Sequence, residues 1–71
     1  MAQLTEFGKE VKKRLVDINQ NQIWLINQVK GKTGLFLDGG YLNKILTGRR
    51  NAPKVVQAIR EILELPVATD L

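Results

Sequence analysis

Apolar positions recur along this chain with a helical period, in blocks separated by polar or glycine-bearing breaks. Phe7, Val11, Leu15 and Ile18 fall at spacings of four, four and three, which draws one stripe on a helix from about Thr5 to Ile18. Thr5 suits the N-cap, and Glu6 suits the positive end of the helix dipole. Lys9, Lys12 and Lys13 lie off the stripe. Gly8 costs about 1 kcal/mol of helix propensity, and close packing is the one reason the sequence offers for it. The polar run Asn19-Gln20-Asn21 ends this helix and supplies a cap for the next.

The second helix is expected from Gln22 to about Val29, with Leu25, Ile26 and Val29 on one face. Ile23 and Trp24 lie partly off that face. The favoured reading is that Lys30 to Leu37 folds back so that Leu35 or Phe36 covers Trp24; the competing one makes Ile23 and Trp24 a protein-binding surface. A third helix begins after Asp38, whose side chain can cap it, carries Tyr41, Leu42, Ile45 and Leu46, and stops at Gly48. A fourth opens on Pro53, buries Val55, Val56, Ile59, Ile62 and Leu63, and reaches its limit at about Leu65, before Pro66. The expected fold is all-α: a compact four-helix bundle over residues 1–71, ordered over about 4–65, with an extended connection between helices two and three and a short frayed tail.

Seventy-one residues suffice for one domain, and a hydrophobic fraction of 44% is ordinary for a globular chain. With no cysteine and no histidine, a disulfide framework, a thiolate zinc site and the commonest general base are all missing. No signal-type or membrane-spanning apolar run is present, so a cytoplasmic location is expected. Charge is informative by position. Against a net of +4, Lys30, Lys32, Lys44, Arg49, Arg50 and Lys54 face only Asp38 in the middle of the chain, while the last stretch has Arg60 against Glu61, Glu64 and Asp70. The excess lies around the third helix, where a polyanion would dock.

Gly31-Lys32-Thr33 imitates the end of a phosphate-binding loop, but Ile26 stands where that motif needs glycine, and no βαβ unit fits this length. Glu6 with Glu10, and Glu61 with Glu64, read as solvated surface rather than catalytic pairs. No enzymatic activity, cofactor, metal or small-molecule ligand is expected.

The order of one amphipathic helix, Asn-Gln opening a second, then Asp-x-x-Tyr-Leu-Asn-x-Ile-Leu-x-Gly-Arg from Asp38 to Arg49, resembles the lambda-repressor-like (Cro/Xre-type) helix-turn-helix regulators of phages and prophages. The resemblance covers about Phe7 to Leu65. It implies a phosphate contact at Gln22, base reading from Gly39, Gly40, Asn43 and Lys44, and backbone contacts from Thr47, Arg49, Arg50 and Asn51. By its own chemistry Lys44 can donate to guanine and Asn43 can pair with adenine. The charges of Arg49, Arg50, Lys32 and Lys54 suit phosphates. Tyr41 is ambiguous between a core edge and a phosphate or thymine-methyl contact. The chain departs from the family in a longer connection after helix two, in glycines at two reading positions, and in Leu15 and Leu46 where many relatives hold a buried Arg–Glu pair.

The leading expectation is therefore a sequence-specific double-stranded DNA-binding regulator, a repressor of phage or mobile-element type, acting as a weak or DNA-assisted homodimer. The alternative is a helical protein-interaction module engaging a host protein through Trp24 and residues 30–37.

Overall fold

The computed structural model describes residues 4–65. Four helices run in order: α1 (Glu6–Asp17), α2 (Gln22–Thr33), α3 (Gly39–Leu46) and α4 (Pro53–Leu63), with no strand among the described residues. None of the described helices is long and apolar enough to cross a membrane. Pro66 and the tail expected to fray lie outside the described residues.

The caps form where the sequence places them. Thr5 Oγ1 accepts from Gly8 N–H at 3.0 Å, Asn21 Oδ1 from Trp24 N–H at 2.9 Å, and Asp38 Oδ1 from Tyr41 N–H at 2.8 Å. Each satisfies one of the donors that an opening turn leaves without a partner. α1 ends through Asn19 at φ 59°, with Gln20 N–H reaching back to Leu15 O at 2.9 Å. Asparagine tolerates that left-handed conformation. Pro53 opens α4, as expected.

The largest correction concerns α2. It runs a full turn past Val29 to Thr33, and its stop is Gly34 at φ 71°, whose N–H bonds Lys30 O. Gly31 is merely weak helix rather than a break, and Lys30 and Lys32 complement the negative end of the dipole. Much of the apparent long connection is thus helix, and the true link is residues 34–38. Within it Leu37 is 1% exposed, the residue that enters the core. Leu35 (38% exposed) and Phe36 (69%) stay outside and line a groove with Tyr41 and Pro53. Neither groove that they line includes Trp24, which is half-buried against the core cluster. Ile23 remains exposed.

The core is Val11 and Leu15 from α1, Leu25 and Val29 from α2, Leu37, then Leu42, Ile45 and Leu46 from α3, Ala52 before α4, and Val55, Ala58, Ile59 and Leu63 from α4. Val56 and Ile62 only edge it, and Ala58 takes an inward position that a reading for bulky residues passes over. α2 lies against α4 and α3, and α1 lies against α3 and α4. The Cα radius of gyration is 11.4 Å, close to the roughly 11 Å of a compact chain this long, so the helices close on one core. α4 ends at Leu63, short of Leu65, because Glu64 turns left-handed at φ 55°.

Two joints fix α1 against its neighbours. At one, Thr5 donates both its N–H and its hydroxyl to Leu46 O, each at 3.0 Å, which satisfies a carbonyl at the end of α3. A Cβ on Gly8 would lie 2.3 Å from that same oxygen, so glycine is the residue that permits the approach. At the other, Arg14 Nε donates to Leu63 O at 2.9 Å, and the Arg60 guanidinium stands 4.9 Å from the centre of the Phe7 ring. Leu15 and Leu46 are both buried apolar side chains.

Candidate functional site

α3 is about 12 Å long at 1.5 Å per residue, and its two sides have opposite chemistry. Leu42, Ile45 and Leu46 face the core, while Gly39, Gly40, Asn43 and Lys44 are exposed and Tyr41 lies at the edge. A Cβ on Gly39 would meet nothing within 4 Å, and one on Gly40 would meet only Asp38 Oδ1 at 3.7 Å. Neither glycine is required by packing or by a left-handed backbone. Their effect is to bare the first turn of α3, where the Gly39 and Gly40 N–H groups have no hydrogen-bond partner among the described residues. Such groups favour anions, although the Asp38 carboxylate beside them opposes that preference.

At the other end, the chain after α3 folds tightly onto it. Gly48 takes φ 79°, and the N–H groups of Arg49 and Arg50 both return to Lys44 O, at 2.8 and 3.2 Å. This turn places Arg49 and Arg50 just past the C-terminus of α3, the end of a helix that favours cations. The Arg50 guanidinium lies 5.4 Å from the centre of the Tyr41 ring, a cation–π distance. Tyr41, Lys44, Arg50, Asp38, Gly40 and Phe36 then surround one open depression. The tyrosine therefore serves as a core edge and as a rest for Arg50 at once.

Three sequence-predicted residues are placed less favourably. Lys32 Nζ sits 3.1 Å from Glu61 Oε1, so its charge already has a partner on α4. The Glu61 carboxyl is held below its usual range by the Gln57 amide, which donates to it at 2.9 Å, and by the Lys32 bond and charge. Thr47 donates its hydroxyl to Asn43 O at 2.9 Å, which occupies the proton a phosphate would need. Gln22 is half-buried in the opening turn of α2, outside the depression. Asn51 is exposed in the link to α4.

Lys44, Arg49, Arg50 and Lys54 have no carboxylate within ion-pair distance among the described residues, where the pairs are Lys9–Glu6 and Lys32–Glu61. Gly31-Lys32-Thr33 forms the last turn of α2, the negative end of a helix, opposite to the end that cradles phosphates. The reading from sequence missed Phe36 as an exposed element of this surface. The available signal was the length of the run Leu35-Phe36-Leu37, which exceeds what a five-residue link can bury. Comparison of the chain with protein-family models, curated proteins and solved structures finds no match.

Proposed function

We propose that this protein is a sequence-specific double-stranded DNA-binding regulator of the lambda-repressor-like helix-turn-helix type, with α3 in the major groove. The observation that carries the reading is the depression where Lys44 and Arg50 meet the bared first turn of α3, next to a groove lined by Lys54. The width of the major groove is about 12 Å, enough for a helix with the exposed side of α3 laid inward. Asn43 and Lys44 are then the direct base readers, and Arg49, Arg50 and Lys54 the phosphate contacts. Repression and a phage or mobile-element context come from the resemblance alone. A two-fold dimer on half-sites about 34 Å apart is the arrangement such modules use, and no described helix is left over as a dimerisation element, so DNA would assist pairing.

A protein-interaction module centred on Trp24 fits less well, because that indole packs against the core and Lys30–Thr33 is helix. Enrichment of bound fragments from a random duplex pool is the direct test, followed by binding measured across salt. Mutating Arg49 and Arg50 together to Ala should lower the salt slope by about two units. No enriched sequence, or an unchanged slope, would count against a duplex partner.

A further inference from the structure

Phe36 is an exposed aromatic ring that the core does not use. It stands on the link between α2 and α3 with 69% of its surface in water, while its neighbour Leu37 is sealed inside. The ring borders two adjoining depressions. One it shares with Leu35, Tyr41, Pro53 and Lys54, the other with Gly40, Lys44 and Arg50. The first is an open apolar groove of about 430 Å³. The cations on the combined rim are Lys44, Arg50 and Lys54, against Asp38 alone, whose carboxylate is engaged in capping α3. An apolar ring inside a cationic rim fits a partner that carries apolar groups within a polyanion. In the major groove that group is the thymine C5-methyl, which phenylalanine contacts by apolar packing.

We infer that Phe36 is a specificity-determining residue of the duplex interface, its ring packing on a thymine methyl beside the bases faced by α3. The inference rests on the DNA-binding reading and deepens it. Gly39 and Gly40 have no side chains with which to read bases, and their bareness lets the link approach the groove floor. Phe36 supplies the contact that those positions lack.

The test is a uracil scan of the enriched duplex. Each thymine is replaced in turn by deoxyuridine, which removes only the methyl, and affinity is read by fluorescence anisotropy at fixed salt. In the wild-type protein, one replacement within each half-site should weaken binding about fourfold, the worth of one buried methyl-sized group. Phe36→Ala should bind roughly tenfold more weakly, keep the wild-type salt slope, and ignore that same replacement. Because the ring is exposed, Phe36→Ala should keep the wild-type circular dichroism; the scan of the unaltered protein stands even if it does not. Indifference of the wild type to every uracil, or an affinity of Phe36→Ala within twofold of wild type, overturns the inference and leaves the patch to a protein partner. A wild-type protein that enriches no duplex overturns the DNA-binding reading itself, and the inference with it.

Discussion

Gly8 and Gly31 are both helical, and the same substitution should have opposite effects at them. Gly31 lies in the last turns of α2 with nothing within 4 Å of where a Cβ would stand. Gly31→Ala should therefore deliver the ordinary helix gain of about 0.5–1 kcal/mol. Gly8 lies in α1, and a Cβ there would meet Leu46 O at 2.3 Å and Leu46 C at 3.1 Å. Both atoms are backbone, so α1 and the end of α3 must separate. Separation weakens the two bonds from Thr5 to Leu46 O, each worth roughly 1 kcal/mol, and adds overpacking strain of about 1–3 kcal/mol. Set against the same helix gain, Gly8→Ala should lose roughly 2–4 kcal/mol. At about 4–8 °C per kcal/mol for a domain of this size, the midpoint should fall by about 10–30 °C at Gly8 and rise by a few degrees at Gly31. Thermal melts followed by circular dichroism at 222 nm measure both variants. A rise at Gly8, or shifts of the same sign at both sites, would refute the placement of α1 on α3.

Other perturbations test separate joints. Asp38→Ala should cost about 1 kcal/mol through the lost cap on Tyr41 N–H; Asp38→Asn should keep the cap, remove a carboxylate from the rim proposed to meet DNA, and tighten duplex binding in a titration. Glu64→Gly should raise the melting midpoint by a few degrees, since a left-handed φ of 55° costs a non-glycine residue about 1 kcal/mol. The depressed Glu61 pKa makes its contribution to stability complete above the unfolded value and lost as pH falls through the folded one. Melts from pH 7 to pH 3 should thus decline more in the wild type than in Glu61→Gln, and parallel curves would remove the Lys32–Glu61 contact from the account.

Much of this fold is legible in the chain because local signals and packing agree. Thr5, Asn21 and Asp38 cap the helices they precede, Pro53 opens α4, and the apolar stripe of α1 faces the core. Legibility failed where a local rule was overridden. The second helix is expected from the sequence to end near Val29, but a glycine in a helix costs only about 1 kcal/mol, and α2 continues through Gly31 to Thr33. The run Leu35-Phe36-Leu37 looked like a lid, yet only Leu37 turns inward. For the candidate site, composition located the cations but not their partners. Lys32 meets Glu61 across the α2–α4 contact, a meeting that depends on the extra turn of α2. Arg50 resting on Tyr41 follows from the tight turn at Gly48, which the sequence does mark.

The claim on which the functional account depends is that the exposed side of α3, with the arginines behind it, is the surface that meets DNA. Amide chemical-shift mapping of the labelled protein titrated with its enriched duplex measures this most directly. The account predicts that Gly39, Gly40, Asn43, Lys44, Arg49 and Arg50 shift together while Lys12 and Val16 on α1 stay in place. Shifts confined to α1 or to Ile23 and Trp24, with α3 unmoved, would contradict it.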